Sequence, residues 1–252
     1  MGKVTVVGIG PGNDDEMTPK ATAAIRGAEV VVGYHTYLKL AESLLKRGEQ
    51  EIIGTGMKQE IERAQAAVEA AAAGKSVAVV SGGDAGVYGM AGLILEQILK
   101  LTEDRRPLFE TVAGISAVNA AAAALGAPLM HDYATISLSD LLTPWETIER
   151  RLRAAGLGDF VIALYNPQSH SRRENIKKAQ YILQQYKSQY TPVGIVTDAG
   201  RPNEKKVIAS LQDFTQEEIT MSSLVIVGNS QTYVREGYMI TPRGYENKEA
   251  AS

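Results

Sequence analysis

Short runs of apolar residues alternate, along the first half of the chain, with longer stretches in which apolar residues recur at helical spacing. Short β-branched runs bounded by glycine predict buried strands, and the longer periodic stretches predict helices. The predicted strands are residues 4–7, 30–32, 52–53, 77–80 and 109–112, and the predicted helices are residues 20–26, 38–47, 60–73, 90–101 and 118–125. This regular alternation predicts a mostly parallel sheet covered by helices.

The second half differs in having short strands and more polar connections. Its predicted strands are residues 134–138, 160–165, 192–197 and 223–227, and its predicted helices are residues 145–155 and 173–189. Strands joined in this way are often antiparallel, so we expect a mixed sheet here.

A break at Gly126-Ala127-Pro128 separates the two patterns. The sequence therefore predicts a two-domain α/β fold. The N-terminal α/β domain spans residues 1–125, the C-terminal domain spans residues 126–245, and residues 246–252 form a tail.

Composition narrows the classes of function. A formal net charge of -3 argues against a nucleic-acid partner, since phosphate binding needs a basic surface. The chain has no apolar run of about 18 residues and no secretion-signal pattern, so we expect no membrane partner and a cytoplasmic location. The absence of cysteine excludes disulfides and thiolate catalysis. His35, His131 and His170 lie far apart in the sequence, which predicts no metal site.

Two glycine-rich loops follow predicted strands of the first half. Gly8–Gly12 reads Gly-Ile-Gly-Pro-Gly, and Gly82-Gly83-Asp84 follows residues 77–80. Without β-carbons, the backbone can approach a cofactor closely, and ligands of α/β sheets bind beyond the carboxyl ends of the strands. Tight turns without a ligand are the alternative interpretation.

A nicotinamide-dependent oxidoreductase is the main competitor from another class. Asn13 stands where the third glycine of a dinucleotide fingerprint belongs, and Pro11 removes a backbone donor from the turn. The second strand also ends at Val32-Gly33-Tyr34 without an acid. These departures disfavour the oxidoreductase, which stays an alternative beside a non-catalytic nucleotide-binding module.

Four motifs in one order carry a family resemblance: Gly8-x-Gly10-Pro11-Gly12, Gly82-Gly83-Asp84, Gly114-Ile115-Ser116-Ala117 and Leu164-Tyr165-Asn166-Pro167. Over residues 1–245 the chain resembles the tetrapyrrole methylases, which use S-adenosylmethionine. Ala85 stands where many members have proline, and this departure leaves the loop conformation open.

Residues 81–92, 137–145, 165–172 and 199–201 are similar to the members that methylate C-17 of precorrin-3B or its cobalt-bearing equivalent. The resemblance thus implies C-17 methylation with ring contraction. Another corrin-pathway methylase, such as the C-11 methylase of precorrin-4, is the alternative.

The resemblance implies S-adenosylmethionine as cofactor, S-adenosylhomocysteine as product, a tetrapyrrole substrate and a homodimer. The residues it implies for the cofactor are Gly10, Pro11, Gly82, Gly83, Asp84, Val87, Ser116, Ala117, Tyr165, Asn166, Thr197 and Asp198. Asp84 has a second interpretation, since an aspartate after glycine often caps neighbouring amides.

The chemistry of this substrate adds two more groups of candidates. A macrocycle rich in carboxylates calls for basic partners, and we expect Arg172, Arg201 and, less strongly, Lys58 to supply them. Solvated surface is the alternative for each. Ring contraction also moves protons, and the catalytic candidates are Asp84, His35 and Tyr88.

Overall fold

The structure is a computed structural model that describes residues 2–169 and 173–245, and the chain divides between Ala117 and Val118 into two compact units. His170 and Arg172, together with the predicted tail, lie outside the described residues. The predicted domain limits, with the first domain ending at residue 125, remain a prediction.

The first unit contains five strands and four helices before the unit boundary. The strands are β1 (Lys3–Gly8), β2 (Val30–Tyr34), β3 (Glu51–Thr55), β4 (Ser76–Ser81) and β5 (Leu108–Val112). The helices are α1 (Pro19–Gly27), α2 (His35–Leu40), α3 (Glu60–Ala72) and α4 (Ala91–Leu99). All pairings are parallel, in the order β3-β2-β4-β1-β5, which confirms the predicted parallel sheet.

Alternate residues of the strands face opposite layers of helix. In β1, Val6 belongs to the core cluster formed with α3 and α4, whereas Val7 belongs to the cluster formed with α1 and α2. The central strand β4 alternates in the same way, with Val79 and Val80 on opposite faces. Because both faces are covered, these strands read as continuous apolar runs.

Helix α1 begins within one residue of its predicted start, but α2 does not. The Thr18 hydroxyl accepts a hydrogen bond from the Ala21 amide at 3.1 Å, with proline at the first helical position. The predicted helix 38–47 instead starts at His35 and ends at Leu40, followed by a short 3-10 turn. The chain leaves the helix to reach Gln50, whose amide donates to the Ile25 and Ala28 carbonyls at the end of α1.

The second unit confirms the predicted mixed sheet. It begins with the alanine-rich helix, α5 (Ala117–Leu125), and also contains α6 (Trp145–Leu157) and α7 (Asn175–Leu183). Its strands are β6 (Gly126–Ala127), β7 (Tyr133–Ser137), β8 (Val161–Tyr165), β9 (Pro192–Thr197), β10 (Lys205–Ser210), β11 (Ser223–Val227), β12 (Tyr233–Arg235) and β13 (Tyr238–Ile240). The main sheet has the order β10-β9-β11-β8-β7, and a three-stranded sheet has the order β12-β13-β6.

Strand directions define one edge of the main sheet in this unit. β7 and β8 are parallel, and β11 is antiparallel to both β8 and β9. The carboxyl ends of β7, β8 and β9 therefore lie at the same edge. Helices α6 and α7 pack on one face of the sheet over Leu164 and Val225, and Leu125 of α5 packs on the bare backbone of Gly194 in β9.

For the second half, the sequence prediction makes one helix too long and omits several strands. The predicted helix 173–189 ends at Leu183, because the chain turns to bring Lys187 back to the Phe160 carbonyl, where its ammonium donates at 2.9 Å. The sequence also missed β10, an edge strand that begins with two exposed lysines and so lacks an apolar run. Among the described residues, none of the helices is long and apolar enough to span a membrane.

Candidate active site

The two predicted glycine loops are joined directly at the carboxyl edge of the first sheet. The Gly10 amide donates to the Gly83 carbonyl at 3.0 Å, and the Gly83 amide donates to the Gly10 carbonyl at 2.8 Å. Both glycines have positive φ angles, +68° and +66°, which other residues adopt only with strain. The loops after β1 and β4 thus form one continuous backbone surface.

This junction lies at the switch point of the sheet. β1 and β4 are neighbours, but β1 is followed by α1 on one face and β4 by α4 on the other. Their connections therefore diverge and leave a crevice beyond the strand ends, which is where open α/β sheets bind ligands.

The loop after β5 closes against the same junction. A β-carbon on Gly8 would lie 2.7 Å from the Gly83 carbonyl oxygen and 2.8 Å from the Gly114 amide nitrogen. A β-carbon on Gly114 would meet the backbone of Gly83 and Gly8 more closely still. Three strand ends therefore meet through bare backbone, and the motifs are glycine-rich for this reason.

Asp84 joins the loop after β4 to the loop after β5. One carboxylate oxygen accepts from the amides of Gly86 at 2.8 Å and Val87 at 3.1 Å, and the other accepts from the Gly114 amide at 3.0 Å. The structure therefore places Asp84 as a cap on neighbouring amides. Its direct role toward a cofactor or proton stays a prediction.

The two glycines that precede Asp84 differ in their surroundings. A β-carbon on Gly82 would lie 2.5 Å from the Tyr37 ring, so Tyr37 covers that position. A β-carbon on Gly83 would lie no closer than 3.6 Å to any atom, with the backbone of Ile115, Ser116 and Ala117 around it. The space in front of Gly83 is thus a small cradle walled by backbone, which fits a ligand that approaches the main chain.

The other predicted residues of the first unit lie at this edge too. Pro11 is buried beside Gly10, whereas Val87 and Tyr88 project from the β4 loop with exposures of 39% and 53%. His35 begins α2 directly after β2, is exposed and rests its ring on the bare backbone of Gly54. Lys58 follows β3 and is exposed.

In the second unit the predicted residues occupy the edge at which β7, β8 and β9 end. The Tyr165 hydroxyl accepts from the Val118 amide at 3.1 Å, and the Asn166 side chain donates to the Ser137 hydroxyl at 2.9 Å. Thr197 and Ser223 share a hydrogen bond of 2.6 Å between their hydroxyls. Polar groups at the ends of four strands, β7, β8, β9 and β11, thus line this edge.

Arg201 lies on the loop that follows β9. Its guanidinium pairs with the Asp198 carboxylate at 3.1 Å, and both side chains are partly exposed. The ion pair fixes the position of the Arg201 guanidinium at this edge of the sheet. Arg172, the other predicted arginine, lies outside the described residues.

Positive φ angles mark several of the predicted positions. Lys58, Tyr88, Asn166 and Asp198 have φ angles of 65°, 54°, 50° and 53°. Each follows the carboxyl end of a strand. Non-glycine residues adopt this conformation rarely, and it clusters at functional sites.

Arg63 is not among the residues predicted from the sequence. This arginine lies on the buried stripe of α3, near Ala64 and Ala67, and is only 4% exposed. Its position among buried alanines at helical spacing was the signal available in the sequence. Among residues 2–169 and 173–245, no group of three histidine or acidic side chains is arranged to hold a metal ion.

Comparison with known proteins decides the family. The model of the "Tetrapyrrole (Corrin/Porphyrin) Methylases" matches residues 3–215. This chain belongs to the tetrapyrrole methylase family. It is 52% identical to a "Probable cobalt-factor III C(17)-methyltransferase" of Salmonella typhimurium, over 96% of this chain and 99% of that protein.

Two further tetrapyrrole methylases are similar to this chain. A "Cobalt-factor III methyltransferase" of Priestia megaterium is 50% identical over 98% of this chain, which spans only about half of that relative, 46% of its length. The crystal structure of the methyltransferase CobJ superposes with a TM-score of 0.90 at 38% identity, covering 96% of this chain and all of that one. The predicted tetrapyrrole methylase fold is thereby confirmed.

Proposed function

We propose that this chain transfers a methyl group from S-adenosylmethionine to C-17 of a cobalt-bearing tetrapyrrole of the factor III class, with ring contraction, in cobalamin biosynthesis. The names of its relatives at 50% and 52% identity support the substrate and the position. The structural observation that carries the proposal is the backbone junction of Gly10 and Gly83 at the switch point, with the backbone-walled cradle in front of Gly83.

The cradle suits a donor that approaches the main chain. In this proposal Gly83, Ser116 and Ala117 hold part of S-adenosylmethionine in the first unit, with Val87 beside them. Tyr165, Asn166, Thr197 and Asp198, at strand ends of the second unit, stay candidates for the cofactor on the family resemblance alone. When bound, S-adenosylmethionine supplies a methyl group already activated by its sulfonium, so the protein's work is positioning and exclusion of water.

Basic side chains at the strand ends of each unit, considered separately, are proposed to meet carboxylates of the macrocycle. Arg201 is held by Asp198, which fixes its orientation, and Lys58 projects from the turn after β3. Charge-assisted bonds of this kind orient a carboxylated substrate better than neutral ones. Arg172 completes the proposed set.

We assign the proton steps of ring contraction to exposed groups at the carboxyl edge of the first sheet. Asp84 already accepts three amide hydrogen bonds, so we assign it the role of holding the loops. His35 and Tyr88 are exposed at the ends of neighbouring strands β2 and β4 and are the proposed proton carriers.

We also propose that the protein is a homodimer in the cytoplasm. Both features rest on its membership of the family. Light scattering of the purified protein measures its oligomeric state, and fractionation of the producing cell measures its location.

Mass spectrometry of the product tests the function. The protein is incubated with S-adenosylmethionine carrying a carbon-13 methyl group and with either cobalt-factor III or cobalt-free precorrin-3B. We expect one labelled methyl on the cobalt-bearing macrocycle, with carbon-13 NMR placing it at C-17. A labelled methyl at C-11 contradicts the proposed position, and label only in the cobalt-free macrocycle contradicts the proposed substrate. In a parallel incubation with NADH, oxidation of NADH without methyl transfer contradicts the proposed reaction.

A further inference from the structure

Arg63 is a buried cation whose contacts all lie at the carboxyl edge of the first sheet. Its Nε donates to the Thr55 hydroxyl at 2.7 Å, and one terminal nitrogen donates to the Gly56 carbonyl at 2.9 Å. The other terminal nitrogen lies 3.6 Å from the Met90 sulfur, and the guanidinium lies 5.8 Å from the centre of the Tyr34 ring.

This charge is buried without a carboxylate beside it. In the part of the chain that the structure describes, Arg63 forms no ion pair, and Glu60 attracts it only through space. Burial lowers the pKa of the Arg63 guanidinium, with the attraction of Glu60 opposing the shift. Burying a cation among neutral acceptors and a ring face lowers the stability of the fold. An apolar residue at this helical position would pack beside Ala64 and Ala67 without that desolvation penalty. Stability alone therefore does not account for an arginine here.

The three segments that Arg63 joins belong to neighbouring strands. Thr55 ends β3, Gly56 begins the turn that carries Lys58, and Tyr34 ends β2 immediately before His35. Met90 closes the β4 loop that carries Tyr88 and precedes α4. In the sheet order β3-β2-β4-β1-β5, these contacts occupy the β3-β2-β4 side, whereas the Gly83 cradle is formed by the loops of β4, β1 and β5.

We propose that Arg63 is a positioning residue for the tetrapyrrole substrate, acting through Tyr34 and the turn from Gly56 to Lys58. This rests on the proposed function. Arg63 fixes the position of Lys58 and its buried charge also attracts a carboxylated macrocycle, because a charge in a low-dielectric wall is weakly screened. The methyl donor, on the other side of the edge, does not depend on it.

The test compares binding of the two ligands by Arg63→Met, Arg63→Lys and a matched control, Arg26→Lys, at an exposed arginine of α1. Calorimetry measures binding of S-adenosylhomocysteine, and the absorbance change of the macrocycle measures binding of cobalt-factor III without turnover. We expect Arg63→Met to weaken tetrapyrrole binding about tenfold or more, because the displaced Lys58 loses its charge-assisted contact with the macrocycle. S-adenosylhomocysteine binding and the melting temperature stay near wild type, and Arg63→Lys recovers part of the loss. Arg26→Lys changes none of these quantities.

Steady-state kinetics and Lys58 supply a second readout. The KM for the tetrapyrrole rises in Arg63→Met and Arg63→Lys, while the KM for S-adenosylmethionine does not. Lys58→Met weakens tetrapyrrole binding in the wild type but has little further effect in Arg63→Met, because the turn has already lost its support.

Two results overturn the proposal. One is a folded Arg63→Met or Arg63→Lys protein that binds the tetrapyrrole like wild type. The other is a parallel loss of affinity for both ligands together with a fall in melting temperature, because a purely structural role has that effect. If Arg63→Met does not fold, the same measurements on Arg63→Lys decide. Failure of the proposed function looks different, because then the wild-type protein itself does not bind the tetrapyrrole.

Discussion

Gly10 and Gly83 exchange a pair of backbone hydrogen bonds, of 3.0 Å and 2.8 Å, that join two loops lying more than seventy residues apart in the sequence. Neither residue contributes a side chain. The candidate site is consequently a property of backbone geometry, and substitutions that add a single carbon atom at the glycines are its sharpest probes.

Gly8 provides a test of how tightly the loops are packed. In Gly8→Ala the new β-carbon would lie 2.7 Å from the Gly83 carbonyl oxygen, a backbone atom that cannot rotate away. We expect a loss of about 1–3 kcal/mol in the free energy of unfolding, measured with urea.

Gly92→Ala is the matched control for that substitution. Gly92 lies within α4, and a β-carbon there meets no atom within 4 Å. Alanine should therefore stabilise the helix by about 0.5–1 kcal/mol. Equal stability of Gly8→Ala and the wild type would mean that the three loops are not packed as described.

Asp84 distinguishes loop capping from direct ligand binding. An asparagine side chain has only one acceptor oxygen. Its NH₂ group therefore faces at least one of the three backbone N–H groups that now donate to the Asp84 carboxylate. We expect Asp84→Asn to lower the free energy of unfolding by about 1–3 kcal/mol without any ligand present.

Asp15→Asn, at an exposed aspartate in the loop after β1, serves as control and should leave stability unchanged. If Asp84→Asn is as stable as the control but has lost affinity for S-adenosylhomocysteine, Asp84 acts as a direct ligand and the capping role is wrong.

Glu110 predicts a dependence of stability on pH. Hydrogen bonds from Lys20 and Lys3 lower the pKa of Glu110 from its ordinary value of 4.5 to about 2. Since the folded pKa lies below the unfolded one, the carboxylate stabilises the fold above pH 4.5, and this contribution is lost as the pH falls toward about 2.

Urea unfolding of the wild type and of Glu110→Gln at a series of pH values measures this contribution. The difference between them should be largest near neutrality, shrink below pH 4.5 and also shrink with added salt. Glu69→Gln, at an exposed glutamate of α3, should show no such trend. A pH-independent difference at Glu110 would contradict the assignment.

The local patterns that the sequence predicts well are those set by neighbouring residues. Strands β1, β4 and β9 follow from β-branched runs, and helices α1 and α5 follow from apolar residues at helical spacing. Strand β10 escaped prediction because an edge strand with exposed lysines carries no apolar pattern, and pairing with β9 alone defines it.

The candidate site was predicted in its position but not in its contacts. Glycines after strands indicate close approach, yet the sequence does not say what approaches. Tyr37 covers Gly82 and protein backbone meets Gly8, whereas a β-carbon on Gly83 would have ordinary contacts of 3.6–3.8 Å with backbone. These distinctions depend on tertiary packing, as does the burial of Arg63.

The most direct test of the account is calorimetry of S-adenosylhomocysteine with the wild type, Gly83→Val and Gly74→Val. Gly74 also has a positive φ, of 101°, and open space around it, but it lies before β4, at the opposite edge of the sheet. The two substitutions therefore impose the same kind of backbone strain. We expect the wild type and Gly74→Val to bind S-adenosylhomocysteine and Gly83→Val not to bind it. Binding by Gly83→Val with wild-type affinity, or equal loss in both variants, contradicts the account.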